Sequence, residues 1–255
     1  MYGLTYGQEN VISVDGITDA ALDPHGNLYL STVDGSILKF DTHYQKMMTF
    51  ASNDVSPITS LDVSFNFRIF GFYKNHQSYI LLDRNFMTLN EIRLDPGLIE
   101  NAVTASYSSD NMIWIFDETD FSLKKLNPTL NQLVINTRLP LLFDIETYSI
   151  LQLEEYQNRI YLNNAGDGIY VFDQFGNFLK KLRISTYHIF NIFNERIFFI
   201  DTALIKSMRL YTHEEQIIHK ITDVNRILTV LARNQLLLLI YPDRIIQMDI
   251  KEIED

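Results

Sequence analysis

Along the chain, short runs rich in Ile, Leu, Phe, Tyr and Val alternate with clusters of Asn, Asp, Gly and Pro. This pattern predicts strands and tight turns rather than helices. The stretch NLYLSTVDGSILKFD, residues 27–41, reads as strand, turn and strand.

The same plan returns at RIYLNNAGDGIYVFD, residues 159–173, and the two stretches align without a gap. Tyr29 falls on Tyr161, Leu30 on Leu162, Ile37 on Ile169, Phe40 on Phe172 and Asp41 on Asp173. Positions 29 and 161 are 132 apart, or three times 44, so intermediate copies are expected. They occur at 67–92 and 111–135, and further copies follow at 195–218 and 234–255. Each of the six units, about 42 residues long, is preceded by an apolar run: ITDAALD, ITSLDVS, AVTASYS, SILQLEE, HIFNIFN and ILTVLAR.

The repeat predicts an all-β chain folded, over residues 1–255, as a single six-bladed β-propeller domain of four-stranded antiparallel blades. The runs that precede each motif are the expected innermost strands. The sixth unit lacks a fourth strand, whereas the chain has a spare strand-like segment, ENVISV, at 9–14. Pairing the two closes the ring and leaves no open sheet edge at the seam. A β-sandwich also spaces its strands by turn signals every 8–12 residues or so. The gapless match between distant copies favours the propeller.

Composition narrows the partners. Thirty-two acidic against 21 basic residues give a net charge of −11, which disfavours nucleic acid as a main partner. The absence of cysteine removes disulfides, thiolate catalysis and zinc-thiolate sites, and leaves the redox compartment open. The N-terminal residues show no basic stretch followed by an apolar one, so no signal peptide is visible. A periplasmic location follows if a leader has been removed, and a cytoplasmic one otherwise. The longest apolar run, LLLLIY at 236–241, falls far short of the roughly 20 residues of a membrane helix, so a membrane-spanning chain is not expected.

The segments DPHGNLYLSTVDGSILKFD and RIYLNNAGDGIYVFDQFGNFLKKL resemble blades of the β-propeller superfamily that includes NHL, PQQ-like, YWTD and gluconolactonase-type repeats. The likeness covers about a third of the chain strictly and the rest loosely. No subfamily pattern is complete: the WD, GH and YWTD signatures are missing, and Trp114 is the only tryptophan. Propellers of this kind that lack a catalytic signature are mostly binding platforms. The chain also resembles, more faintly, periplasmic propellers that accompany outer-membrane assemblies, such as the plug of the type 9 secretion translocon.

No catalytic motif stands out. The VDG turn at Asp34–Gly35 and the AGDG turn at 165–168 lack the ligand spacing of a calcium loop and read as hairpin turns. Asp41, Asp83, Asn127 and Asp173 recur at one position, as turn-capping residues would. The six histidines show no paired metal or catalytic spacing, and no G-x-S-x-G elbow occurs. A lactonase-like metal site would draw on Asp19, Asp62, Glu154 and Asn191, with Gln152 nearby, on the expected inner strands, and calcium suits their hard oxygen donors.

Function is therefore sought where the repeat breaks. The connection TRLPLLFDIET at 137–147 is long and apolar, and DPGLIEN at 95–101 is a second interruption. Leu98, Ile99, Leu139, Leu141, Leu142 and Phe143 are the candidate partner-binding residues, with burial of some and exposure of one or two expected. The first reading is a non-enzymatic scaffold or assembly subunit with a protein partner and no cofactor, placed in the periplasm with an outer-membrane complex. The second is a metal-dependent hydrolase of the lactonase type, with a divalent ion in the channel.

Overall fold

The computed structural model describes residues 10–52, 56–63, 68–140, 142, 147–224 and 226–249. Strand β1 (Asn10–Ser13) is followed by the first blade, β2 (Ile17–Leu22), β3 (Leu28–Thr32), β4 (Ile37–Phe40) and β5 (Lys46–Phe50). The second comprises β6 (Ser60–Asp62), β7 (Ile69–Tyr73), β8 (Ser78–Leu82) and β9 (Thr88–Arg93), with a single 3-10 turn at Lys74–His76. The third comprises β10 (Ala102–Tyr107), β11 (Ile113–Asp117), β12 (Ser122–Asn127) and β13 (Gln132–Arg138). The fourth holds β14 (Ile150–Tyr156), β15 (Arg159–Asn164), β16 (Gly168–Asp173) and β17 (Phe178–Leu182). The fifth holds β18 (Asn191–Phe193), β19 (Arg196–Asp201), β20 (Leu204–Arg209) and β21 (Glu215–Lys220). The sixth contains β22 (Thr229–Arg233), β23 (Leu236–Ile240) and β24 (Arg244–Asp249), and β1 is its outermost strand.

This is the six-bladed all-β propeller that the repeat predicts, with the ring closed by the N-terminal strand. Register at the seam runs from Asn10 opposite Gln247 to Ser13 opposite Arg244. A second tie crosses the same junction. Arg233 Nη1 donates to the Asp23 carbonyl and Nη2 to that of Pro24, both at 2.7 Å. Gly26 makes room for that guanidinium: a β-carbon there would lie 2.9 Å from Nη1.

The core is divided into six parts, one at each junction between blades. Successive side chains of a strand point to opposite sheet faces. Leu28 and Leu30 therefore pack with Leu238 and Ile240 of the sixth blade, while Tyr29 between them packs with Ile58 and Ile80 of the second. Burial on both faces explains why the middle strands read as continuous apolar runs without alternation. The outermost strands have one neighbour and one wet face, and β13 alternates accordingly between exposed and half-buried positions.

The turns explain the recurring Asx residues. Asp173 Oδ1 accepts the backbone N–H groups of Phe175 and Asn177, both at 2.9 Å. Asp41 receives His43 and Gln45, Asp83 receives Asn85 and Met87, and Asn127 receives Thr129 and Leu130 in the same way. At the VDG turn Gly35 has φ 80°, and Asp34 accepts the Thr32 hydroxyl at 2.5 Å, so this carboxylate fixes a hairpin.

Immediately after these turns the outer strands of the first four blades carry an extra residue. The pairing slips between Lys39 and Phe40, Leu81 and Leu82, Lys125 and Leu126, and Val171 and Phe172. The unmatched residues are Met47, Leu89, Val134 and Leu179. A bulge at an outer edge bends the strand and impairs edge-to-edge pairing with another chain. Among the described residues no helix is long and apolar enough to cross a membrane.

Candidate functional site

The six inner strands surround a central cavity of about 270 Å³. Asp19, Asp62, Glu154, Asn191 and Gln152, the residues named for the lactonase-like alternative, all line it. Several reach sideways to the next blade. Asp19 Oδ2 accepts the Leu61 N–H at 2.8 Å and its Oδ1 that of Ala20 at 2.8 Å. Asp62 Oδ2 accepts the Ser106 hydroxyl at 3.1 Å and the Tyr107 N–H at 3.3 Å. Gln152 Oε1 accepts the Phe190 N–H at 2.8 Å, and Asn191 Oδ1 that of Ala232 at 3.1 Å.

Each of these four side chains uses an oxygen to receive a backbone N–H from the following blade. Inner-strand edges otherwise present unpaired donors to the channel, where desolvation is costly. Polar residues on these strands thus bind blade to blade. The oxygens needed by a divalent ion are largely committed, and among the described residues no three His, Asp or Glu side chains are grouped so as to hold a metal.

Glu154 differs, because among the described residues its Oε2 accepts only the Gln152 amide, at 2.9 Å. Burial first, and then the charges of Asp62 and Asp19, push its carboxyl well above the usual range. Burial also pushes Asp19 up to about 7, against the opposing pull of its two backbone donors. Burial thus biases both of these channel carboxyls toward the protonated form.

The apolar connections after the second and third blades fold onto the ring. Ile99 is buried and Leu98 half-buried against the core between blades two and three. Their loop is pinned by Asp117, which accepts the Glu100 N–H at 2.9 Å, and by Lys124 Nζ, which donates to the Leu98 carbonyl at 3.1 Å. Lys124 and Asp117 themselves form a buried ion pair at 2.7 Å. Leu139 is buried and Leu142 half-buried between blades three and four, and the Leu142 carbonyl accepts the Tyr170 hydroxyl at 3.0 Å. Leu141 and Phe143 lie outside the described residues. Ile99 and Leu139 are therefore core residues, among those of the six whose burial was expected: their loops fold back over the blade junctions and take these side chains out of water.

The exposed apolar surface lies elsewhere. Met47, Leu89, Val134 and Leu179, the unmatched bulge residues, are 41–56% exposed, and Met87, Leu130 and Phe175 stand near three of them at 62–65%. They form an arc of apolar side chains on the outer strands and adjoining turns of blades one to four. Sequence reasoning missed them because a single apolar residue in an outer strand looks like core. The only available signal was its position, six residues after each turn-capping Asp41, Asp83 and Asp173 and seven after Asn127.

No protein-family model matches the chain, and no curated protein matches it in sequence. Solved structures do match in shape. The WD40 domain of Neurospora crassa Pan2 is 9% identical, with a TM-score of 0.66 over 94% of this chain and 91% of that one. The inactive H270A virginiamycin B lyase of Staphylococcus aureus, solved with quinupristin, is 8% identical, with a TM-score of 0.66 over 95% of this chain and 99% of that one. PorZ of Porphyromonas gingivalis is 12% identical, with a TM-score of 0.61 over 94% of this chain and 32% of that one. At such identities the likeness is one of fold. The chain is a six-bladed β-propeller, similar in architecture to a WD40 domain, a lyase and a secretion-system component alike.

Proposed function

We propose that this chain is a non-enzymatic protein-binding propeller, acting as a scaffold or as a subunit of a larger assembly. The observation that carries this reading is the apolar arc of Met47, Leu89, Val134 and Leu179 on a rigid ring. A propeller holds such side chains at fixed spacing, and exposed apolar residues at equivalent positions of successive blades suit protein contact. The test is affinity capture from the native source with the wild-type chain and with a Leu89→Asp, Leu179→Asp variant. Equal recovery of the same proteins by both would sink the arc as the contact surface.

The reading extends to a periplasmic, outer-membrane-associated setting. Its support is the likeness to PorZ, described as an essential bacterial surface component of the type-IX secretion system. Fractionation of native cells tests it: recovery solely with cytoplasmic proteins would reject this setting and leave the scaffold reading intact.

The rival, a metal-dependent lactonase-type hydrolase with calcium in the channel, is motivated by the carboxyl cluster of Asp19, Asp62 and Glu154. We rank it second because the Asp19 and Asn191 oxygens already receive backbone donors. Melting with and without calcium discriminates, since a resident calcium site would raise the midpoint.

A further inference from the structure

The junction of blades four and five gathers three basic side chains on one side of the ring. Arg159 opens β15 directly after the turn at Gln157 and Asn158, where φ is 49° and 58°. Its guanidinium carbon lies 5.3 Å from the ring centre of Tyr211 in blade five, and the Tyr211 hydroxyl donates to Gln157 Oε1 at 2.6 Å. Lys180, on β17, reaches the same turn of blade five: Nζ donates to the Leu210 carbonyl at 3.2 Å and lies 2.8 Å from His213 Nε2. Stacking and hydrogen bonding thus fix both cations before any ligand arrives.

What this cluster lacks is a counter-charge. Lys124, Lys125, Lys181 and Lys206 each meet an Asp carboxylate at 2.6–2.7 Å. Among the described residues, Arg159, Lys180 and His213 form no ion pair with a carboxylate, although acidic residues outnumber basic ones 32 to 21. Burial first, and then the charge of Arg159, lower the Lys180 pKa, as expected of a partly desolvated ammonium beside a second cation. An ammonium has three donors, and two of them are engaged by Leu210 and His213. One N–H of Lys180 remains available, and the Arg159 guanidinium, which also hydrogen-bonds Tyr161, retains others of its five donors for a multidentate acceptor.

We propose that Arg159, Lys180 and His213 form a binding site for a phosphate-class oxyanion. Arginine supplies paired donors, lysine a point charge and one further donor, and the imidazole, whose Nε2 receives the Lys180 N–H, a third donor at Nδ1. The same chemistry is offered by free phosphate and by a phosphomonoester carried on a larger ligand.

The test is thermal melting of the full chain in inorganic phosphate, in phosphoserine, and in chloride at matched ionic strength. Phosphate or phosphoserine at millimolar concentration should raise the wild-type midpoint by a few degrees over chloride, as a ligand bound only by the folded state does. An Arg159→Gln, Lys180→Gln variant should lose that shift, whereas Lys180→Arg, which keeps the charge, should retain it. A larger effect of phosphoserine identifies the monoester, and an equal or smaller one identifies the free ion. Because the double variant also loses the Leu210 contact, the His213 ring protons in the wild type provide a second readout and should move on phosphate titration. No phosphate-specific shift in melting, or an equal shift in the double variant, overturns the site.

Discussion

Glu155 Oε2 accepts the indole N–H of Trp114 at 2.9 Å, joining the inner strand of blade four to the second strand of blade three. The same carboxylate receives the hydroxyls of Ser108 at 2.5 Å and Ser109 at 2.6 Å, so a buried charge is held entirely by donors from the preceding blade. Lys125 lies 4.8 Å from the Trp114 ring centre and pairs with Asp110 at 2.7 Å, sealing the arrangement. It contains the only tryptophan.

Replacing Glu155 by Ala leaves the Trp114 and Ser108 donors without an acceptor and should cost about 3 kcal/mol. Glu155→Gln keeps an acceptor and should cost about 1 kcal/mol. Chemical denaturation followed by Trp114 emission measures both. Equal losses in the two variants would show that the bonding pattern is not what matters.

Glu154 and Asp19 should make the ring less stable as pH rises. Both carboxyls have raised folded-state pKa values, so between the unfolded value near 4 and the folded one the native chain holds protons that the unfolded chain has lost. Their stabilisation is full below that window and declines through it, up to pH 7 in the case of Asp19. Glu154→Gln should raise the melting midpoint at pH 8 and change it little at pH 4. Melting curves across pH 4–8 test this, and a steeper decline in the variant would contradict it.

Closure of the ring should depend on the buried side of β1. Ile12 packs against the core between blades six and one, whereas Val11 beside it is exposed. Ile12→Asp should cost about 2–3 kcal/mol and Val11→Asp less than about 0.5 kcal/mol. Arg233→Met removes two hydrogen bonds across the same seam and should cost about 1–2 kcal/mol. Urea denaturation of the three variants provides the comparison.

The recurring turn caps should be interchangeable in effect. Asp173→Ala strands the N–H groups of Phe175 and Asn177, and Asp41→Ala those of His43 and Gln45, each at about 1 kcal/mol in partly wet turns. If one of these variants abolished partner capture without loss of stability, that carboxylate would have a role beyond its turn.

The repeat itself was legible because blades are built from local hairpins. Two strands and a turn lie within about 15 residues, so Tyr29 and Tyr161 report equivalent positions without any knowledge of distant contacts. The missing fourth strand of the sixth unit and the spare segment near the start were likewise visible, and β1 pairs with β24 as those gaps require. The turn-capping Asp41, Asp83, Asn127 and Asp173 could be recognised by recurrence, because an Asx turn involves only the next few backbone groups.

The candidate sites were less legible, since their chemistry lies between units. The sequence placed Asp19, Asp62 and Asn191 on inner strands, but only the ring brings the backbone donors of Leu61, Tyr107 and Ala232 to their carboxylate and amide oxygens. Apolar character likewise did not determine the fate of Ile99 and Leu139, whose loops fold inward over neighbouring blades. The exposure of Leu89 and Leu179 depends on where a bulge displaces an outer strand, and the cluster of Arg159, Lys180 and His213 exists only because two blades meet. By itself, then, the sequence determined the number of blades, their hairpins and the closing strand, because each rests on short-range hydrogen bonding and a repeated hydrophobic pattern. Tertiary structure alone decided which polar groups are used up between blades and which apolar and basic ones stay exposed, because those outcomes depend on the packing of one blade against the next.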